Sequence, residues 1–278
     1  MARFRDYTPQ GVIPAAILAF DDDFGINKSE TRRHFLYLSN VEGISAITVN
    51  GHSSEVHACS HEEQSLILNL ASETVGDNIP LINGIYADGS IEAARLAKRA
   101  DDLGASALLC FPPHSMRMGG VQHRPEMALT HFKCNADATD LPLIVFQYGD
   151  ELAYSLDTLV ELTEEVTSID AVKDWSVPQK HETHIRGLQS LPRPVNVLST
   201  NSAWLLSSLV MGAIGCLSGA GSVFADLHFK LYRAVQSNDL ETAKRKGTNG
   251  NLYYNAILIL YTTISPHCLL YTSPSPRD

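Results

Sequence analysis

Residues 169–175 are Ile-Asp-Ala-Val-Lys-Asp-Trp, a short apolar run with a single lysine near its end. The run is typical of a buried strand, in which successive side chains point to opposite faces. Ile169, Ala171 and Lys173 therefore share one face, and Val172 lies on the other. Lysine is seldom buried unless a partner or a chemical role requires it there. The stretch predicts a buried strand that presents an amine at its end.

Two explanations compete for a buried lysine. Its ordinary pKa near 10.4 leaves only about one amine in two thousand neutral at pH 7. Burial can lower the pKa to roughly 7–8, where the amine attacks carbonyl carbons and forms Schiff bases. Alternatively, the aliphatic chain packs in the core while the ammonium group reaches water. Taken alone, Lys173 favours this structural explanation, so the neighbouring segments decide between the two.

Strand-like and helix-like patterns alternate along most of the chain. Two capping boxes, Asn27-x-x-Glu30 and Ser60-x-x-Glu63, open the first two helices. Apolar runs predict strands at residues 12–20, 44–50, 79–84, 107–111, 141–148, 169–173, 195–199 and 214–218. Helical spacing predicts the later helices at about 90–103, 125–136, 155–166, up to 190, 202–211, 223–237 and 240–246.

Eight strand–helix units in about 240 residues are the count and size of a (β/α)8 TIM barrel. The strand runs are continuously apolar, as parallel strands covered on both faces should be. We therefore predict one barrel domain over residues 1–246. A doubly wound open sheet is the alternative, but its first turn, residues 19–23, has no glycine fingerprint and carries three aspartates that would repel a pyrophosphate.

Composition narrows the class of partner. The chain has 278 residues, a net charge of −10 and 44% hydrophobic residues, which argues against binding nucleic acid or an anionic membrane. The five cysteines share no short spacing and suit reduced, buried thiols. The apolar run at residues 12–20 is too short for a membrane span. We expect a cytoplasmic protein with no membrane partner.

Polar and glycine-rich segments follow several predicted strands, at the end where barrels of this kind place their chemistry. Gly51-His52-Ser53-Ser54 can offer N–H groups and hydroxyls to a carboxylate, although a plain polar turn fits equally. Residues 218–222, Ser-Gly-Ala-Gly-Ser, allow close backbone approach to a ligand or simply form a tight turn.

Three segments resemble the dihydrodipicolinate synthase / N-acetylneuraminate lyase family. Residues 51–55, Gly-His-Ser-Ser-Glu, resemble its Gly-Thr-Thr-Gly-Glu segment. Residues 171–174, Ala-Val-Lys-Asp, resemble its Gly-Ile-Lys-Glu strand, which carries a Schiff-base lysine. Residues 199–202 and 212–218 resemble its Ser-Gly-Asp-Asp and Gly-Ala-Asp-Gly-Val-Ile-Ser segments. The likeness runs in order from about residue 11 to 245.

The resemblance implies a class I lyase that uses neither a metal nor a cofactor. Lys173 would condense with the ketone of pyruvate or another small 2-oxo acid, and the imine would act as an electron sink. The other residues implied to contact this substrate are Gly51, Ser53, Phe146, Gln147, Asn201 and Gly219. A homo-oligomer is expected if the full-length C-terminus is present.

The chain departs from the family where a strand-five tyrosine should relay protons. Phe146 occupies that position and has no ionisable proton. Tyr148, two residues on and so on the same face, could supply a hydroxyl, and a packing role fits it equally. His52, in place of the first threonine of the turn, is a second candidate acid or base, as is His114 after strand four. Each histidine also fits a hydrogen-bonded position at the rim.

Glu151 stands where dihydrodipicolinate synthases proper carry an arginine that grips a substrate carboxylate. This reversal of charge predicts an enzyme that is not a typical dihydrodipicolinate synthase. A polyhydroxy substrate fits better, so a 2-keto-3-deoxy sugar acid dehydratase is the nearest match alongside a pyruvate-type aldolase. Gln147 fits that comparison, because some of those dehydratases carry a glutamine near the missing tyrosine.

Two rival interpretations remain. A metal-dependent aldolase could use His181-x-x-His184 or the pair His52 and His57, but neither pair has an acid at obvious ligand spacing. We expect His181 and His184 to lie on a solvated outer helix face. The other alternative is a catalytically impaired barrel that binds a 2-oxo acid without turnover, which the loss of the tyrosine at position 146 keeps open.

Residues 247–278 form an atypical tail. The family usually continues beyond the barrel with two or three further helices, but here the likeness is expected to end near Arg245. We expect the helical extension to be missing or replaced, and the tail to be truncated or out of frame. Its apolar run at residues 255–261 is β-prone.

Overall fold

A computed structural model describes residues 4–114, 124–149 and 152–247 of the chain. Within them, eight parallel strands form one sheet in the order β1-β8-β7-β6-β5-β4-β3-β2. The strands are β1 (Gly11–Pro14), β2 (Ile47–Val49), β3 (Leu81–Ile85), β4 (Ala107–Cys110), β5 (Leu143–Gln147), β6 (Ile169–Asp174), β7 (Asn196–Ser199) and β8 (Gly215–Ser218). The predicted (β/α)8 barrel is confirmed.

A helix follows each strand and covers the outside of the sheet. The helices are α1 (Lys28–Ser39), α2 (His61–Val75), α3 (Ser90–Asp102), α4 (Pro125–Ala138), α5 (Leu156–Glu165), α6 (Pro178–Leu188), α7 (Leu205–Val210) and α8 (Gly221–Gln236). Residues 240–247 are also helical. The main difference from the prediction is β1, which ends at Pro14 rather than Phe20; proline has no N–H to continue a ladder.

The predicted capping signals form as hydrogen bonds. The Ser60 side chain accepts from the Glu63 N–H, and the Glu63 carboxylate accepts from the Ser60 N–H, which completes a capping box at the start of α2. Asn27 caps α1 by accepting from the Glu30 N–H. These caps fix where each helix begins, and therefore how long the loop from the preceding strand is.

The barrel closes through β1, which lies between β8 on one side and β2 on the other. β1 pairs in parallel with β8 along its whole length. On its other side, the Ser45 N–H donates to the Val12 carbonyl (3.0 Å) and the Ala16 N–H donates to the Thr48 carbonyl (2.8 Å). The closed arrangement excludes the doubly wound open sheet, because that sheet keeps two unpaired edges.

Two apolar layers lie on opposite faces of the strands. The inner layer fills the barrel and combines small side chains with large ones, among them Ile13, Ala15, Ala46, Ile82, Ala107, Leu109, Ile144, Ala171, Leu198 and Leu217. The outer layer packs the strands against the helices. The interior of the barrel is thus a filled core.

The sequence-based expectations for the tail fall on residues 247–278, of which all but Gly247 lie outside the described residues.

We predict that Gly215→Ala disrupts the closure of the barrel. A Cβ atom at Gly215 would lie 2.0 Å from the carbonyl oxygen of Gly11 on β1, so the two strands would have to separate. The free energy of unfolding should fall by about 2–4 kcal/mol in urea denaturation. Gly89→Ala, where a Cβ meets nothing within 4 Å, should cost less than about 1 kcal/mol. Equal losses in the two variants would contradict this account of the seam.

Candidate active site

Lys173 lies at the end of β6 and points into the barrel. It is 2% exposed and ranks among the largest fully buried side chains. Its register partner on β5 is Phe146, and its Nζ atom lies 4.0 Å from the centre of the Phe146 ring. The side chain therefore does not reach out to solvent, which rules out the snorkelling explanation for this lysine.

The surroundings of Lys173 favour the neutral amine. Burial lowers its pKa from 10.5 to about 7. No carboxylate of the described residues forms an ion pair with it. The face of the Phe146 ring stabilises the ammonium form to some extent, but burial is the larger influence. At pH 7, therefore, a large fraction of the amine is unprotonated and nucleophilic.

Aromatic rings surround the amine on the side of β5 and β6. The Tyr148 ring centre lies 4.9 Å from that of Phe146 and 5.2 Å from that of Trp175. It also lies 5.6 Å from the ring of His52 and 5.0 Å from that of His114. The structure thus brings together Lys173, Phe146, Tyr148 and His52, which three separate sequence segments supply. Burial, and to a lesser extent Tyr86, raises the pKa of Tyr148 to about 12, so its phenol stays protonated.

His52 is held neutral. Burial lowers its pKa to about 3, and the nearby Lys173, His57 and His114 act in the same direction. A neutral imidazole can accept or donate a hydrogen bond, but it is a weak base near pH 7. Of the three predicted proton carriers, Tyr148 packs directly on Phe146, with 4.9 Å between the ring centres.

The turn after β2 presents the predicted carboxylate-binding segment. Residues His52–Ser54 form one turn of 3-10 helix, with Gly51 before it in an extended conformation. The first main-chain hydrogen bonds of the turn are donated by Ser54 and Glu55, which leaves the Ser53 N–H available to a ligand. The Ser53 hydroxyl is 2% exposed and donates to the Ala15 carbonyl (2.9 Å).

The end of β8 adds a residue that the sequence did not single out. The Ser222 hydroxyl donates to the same Ala15 carbonyl as Ser53, so the two serines converge above β1. Gly219, between them and the strand, is buried, and its carbonyl accepts from the Ser222 N–H at 2.9 Å. In the sequence, only the glycine-rich run at residues 218–222 indicated this close approach.

Asn201, after β7, uses its side-chain oxygen to cap the following turn at the Ala203 N–H.

Gln147 corrects one expectation. Its side chain points away from the barrel interior, and its amide makes two hydrogen bonds to the main chain of Tyr154, at 2.7 and 3.0 Å. The physical reason is strand alternation, because Gln147 lies between two inward-facing residues of β5. A contact between this side chain and a substrate in the barrel mouth is therefore not supported.

The predicted location of His181 and His184 is wrong. They are 0% and 4% exposed rather than solvated, and both rings meet the carboxylate of Asp174. They therefore do converge with an acid, but both Nδ1 atoms lie at hydrogen-bond distance, 2.8 Å, from one carboxylate oxygen. In the described part of the chain no group of three His, Cys, Asp or Glu side chains has the arrangement that holds a metal ion. Glu151 lies outside the described residues.

Trp175 and Asp174 had no assigned role before the structure. The signal for Trp175 was the same period of two that placed Lys173, continued one residue past the end of β6. The signal for Asp174 was its position on the opposite face, directly before the helix that carries the two histidines.

Together, these features define a (β/α)8 barrel protein whose mouth holds a buried, weakly basic amine near the 3-10 turn that follows β2. The model of the dihydrodipicolinate synthetase family matches residues 8–263. The chain belongs to that family, as a divergent member. The match extends past residue 245, so the expectation that the likeness ends there is wrong.

Individual relatives agree with this assignment. The 4-hydroxy-tetrahydrodipicolinate synthase of Methanopyrus kandleri is 27% identical over 271 residues, which are 96% of this chain and 83% of that protein. Among solved structures, the dihydrodipicolinate synthase of Aquifex aeolicus has a TM-score of 0.80 at 23% identity and covers 93% of this chain and 85% of its own. The CdNal protein of Clostridium difficile, in complex with mannosamine, has a TM-score of 0.82 at 21% identity, with 91% and 84% covered.

These similarities support a Schiff-base lyase of the pyruvate type in general terms. Among the helices that the structure describes, none combines the length and the apolar character needed to cross a membrane.

We predict that Lys173→Met stabilises the protein, because methionine fills similar space without a charge. The folded-state pKa of Lys173 lies below its unfolded value, so the unfolded chain binds more protons between about pH 7 and 10.5. The free-energy cost of burying the charged lysine is therefore greatest below pH 7, and it disappears as the pH rises from about 7 to 10.5. Urea denaturation should show a gain of about 2–5 kcal/mol near pH 6 that shrinks towards pH 10. A gain that does not vary with pH would contradict the lowered pKa.

Proposed function

We propose that the protein is a lyase that forms a Schiff base between Lys173 and a 2-oxo acid. The observation that carries this proposal is the burial of Lys173, which lowers the pKa of its amine to about 7. A neutral amine inside a barrel mouth is the nucleophile that imine formation needs.

In the proposed reaction the Lys173 amine attacks the ketone carbon of the 2-oxo acid. The carbinolamine then loses water to give a protonated imine, which withdraws electrons from the adjacent carbon. Loss of an aldehyde fragment from that carbon, or of a proton, leaves its electron pair behind and gives an enamine. In an aldol cleavage the enamine takes up a proton, and in a dehydration it expels a hydroxyl group, as water with an added proton, from the next carbon. Hydrolysis of the resulting imine releases the product and the free lysine. The reverse sequence makes the bond instead.

The turn after β2 is the proposed site for the carboxylate of the substrate. The Ser53 hydroxyl reaches the main chain of Ala15, an inner-layer residue, and the Ser53 N–H would be the second donor to the carboxylate. Two hydrogen bonds from these groups would compensate for the loss of water around the carboxylate. On binding, the Ser53 hydroxyl would turn from the Ala15 carbonyl to the substrate, and Ser222 would keep that carbonyl satisfied.

Tyr148 is the proposed proton carrier. Phe146, at the position of the family tyrosine, cannot transfer a proton, and the Tyr148 ring packs directly on it at 4.9 Å. Because the phenol is neutral at pH 7, it can donate a proton to a leaving oxygen or carry one between the carbinolamine and water. His52 would contribute a hydrogen bond as a neutral ring.

The substrate class is the finer part of the proposal. The relative from Methanopyrus kandleri is named a 4-hydroxy-tetrahydrodipicolinate synthase. One structural neighbour is a sialic acid aldolase of Ruminococcus gnavus, with a TM-score of 0.76 at 19% identity over 87% of this chain and 78% of its own. The replacement of the family tyrosine by Phe146 is our reason to propose an enzyme that is not a typical dihydrodipicolinate synthase. A pyruvate-type aldolase and a 2-keto-3-deoxy sugar acid dehydratase are the proposed activities.

A catalytically impaired barrel is the second candidate. It is favoured by the combination of Phe146, which cannot carry a proton, and His52, which is held neutral with a pKa of about 3. Such a protein would form the imine on Lys173 and go no further.

We predict that borohydride in the presence of pyruvate traps a covalent adduct on Lys173. Peptide mass mapping should place one reduced pyruvate on this residue and none in Lys173→Ala, and trapping should become faster as the pH rises through about 7. Turnover of pyruvate–aldehyde pairs or 2-keto-3-deoxy sugar acids should depend on the same lysine. Activity that survives in Lys173→Ala would contradict the proposed mechanism, and trapping without any turnover would favour the impaired barrel.

We predict that Tyr148→Phe separates imine formation from turnover. Loss of the hydroxyl should reduce turnover by about 100-fold while the adduct on Lys173 still forms. Tyr86→Phe is the matched control, since Tyr86 is a half-buried tyrosine of the same mouth that packs on Phe111 at 5.5 Å. If Tyr148→Phe and Tyr86→Phe behave alike, Tyr148 is only a packing residue.

A further inference from the structure

The strands β5 and β6 carry polar residues on their outer face at the level of the site. Phe146 on β5 and Lys173 on β6 face inward, and Tyr148 and Trp175, directly after these strands, pack against the inner layer. The residues between them, Gln147 and Asp174, are register partners, and both are 0% exposed. An ionised side chain in such a place is costly unless it is fully hydrogen-bonded.

Both oxygens of the Asp174 carboxylate have hydrogen-bond partners. One oxygen lies 2.8 Å from Nδ1 of His181 and 2.8 Å from Nδ1 of His184, both on α6. The other oxygen accepts from the Ser176 N–H at 2.9 Å. Although burial alone would raise it, these hydrogen bonds hold the pKa of Asp174 well below its usual range. The group therefore stays a carboxylate inside the protein.

The network continues into a second helix. Nε2 of His181 lies 2.7 Å from the hydroxyl of Ser208 on α7, and the His181 ring packs on Trp204 at 5.0 Å. The order Asp-His-Ser is the one found in hydrolase triads. Ser208 is fully buried, however, so a substrate has no path to its hydroxyl. The network therefore acts within the fold, by joining the end of β6 to α6 and α7.

We propose that Asp174, clamped by His181 and His184, is a positioning residue that fixes the end of β6 and so holds the Lys173 amine where imine formation requires it. This inference rests on the proposed function. Asp174 directly follows Lys173, so any rotation of its peptide planes turns the lysine side chain. A displacement of about 1 Å at a reacting group can cost on the order of 100-fold in rate.

The clamp holds the end of the strand that matters for chemistry. At the opposite end of β6, Nη1 of Arg193 donates to the Ile169 carbonyl at 2.8 Å. Side-chain hydrogen bonds therefore hold both ends of β6, and only those of Asp174 adjoin the lysine. Substitution of Arg193 offers a matched control, because it removes a hydrogen bond to β6 that is far from the site.

The test is the rate of borohydride-trapped imine formation with pyruvate, measured over a range of pyruvate concentrations below the melting temperature of each variant. In Asp174→Asn the amide N–H₂ replaces an acceptor and faces the histidine donors. The rate constant at saturating pyruvate should fall by about 10-fold or more, while the half-saturating concentration changes by less than about twofold. A residue that only stabilises the fold would lower the melting temperature without a selective fall in the rate constant at saturating pyruvate.

The His184 variants keep the proposal testable if Asp174→Asn does not fold. His184→Asn retains an N–H donor near the position of Nδ1 and should stay within about threefold of the wild-type rate constant. His184→Leu removes the donor and should lose at least about fivefold. Arg193→Ala should lower the melting temperature with a rate constant within about twofold of wild type.

Equal rate constants for wild type, His184→Leu and any folded Asp174→Asn would overturn the positioning role while leaving the proposed function intact. Absence of a trapped adduct in the wild type would instead overturn the proposed function, and the positioning role with it.

Discussion

The burial of the Lys173 amine, with no acid among the described residues to pair with it, is the constraint on which the rest of the site depends. Because an ammonium group is costly in such a place, the protein favours the neutral amine near pH 7. Phe146, whose ring centre lies 4.0 Å from the amine, offers only the face of an aromatic ring. The same burial holds His52 neutral and keeps Tyr148 protonated. A single physical cause therefore sets the protonation states of three groups in the mouth.

Strand alternation divides the ends of β5 and β6 into two functions. Inward residues supply rings and the amine, and outward residues fasten the strands to the surrounding helices and loops. Gln147 holds the returning loop through both polar atoms of its amide. Asp174 holds α6 and, through His181, α7. The arrangement explains how two buried polar side chains can adjoin an apolar site without exposing their own groups to it.

Much of the fold could be predicted from the sequence, because the pattern of apolar runs and helical spacing is local. The capping box at Ser60 was predicted to open the second helix, and it does. Period-two alternation also placed Tyr148 beside Phe146 correctly. The same rule puts Gln147 on the outer face, so a strict use of alternation would have removed it from the predicted site. His181 and His184 could not be placed from the sequence, because their burial depends on a carboxylate that another element brings to them.

Family membership bears on the general class of reaction, and the departures from the family pattern bear on the particular reaction. The match over residues 8–263 supports the general class, a Schiff-base lyase. The replacement of the family tyrosine by Phe146 bears on the proton transfers of the proposed reaction. The proposed general class and the proposed particular reaction both require a neutral amine at Lys173.

The most direct measurement is an NMR titration of lysine side chains labelled with ¹³C at Cε, with Lys173→Arg used to assign the signal. We predict a midpoint near 7 for Lys173, as its burial requires. A midpoint close to the ordinary value of about 10.4 would contradict the account.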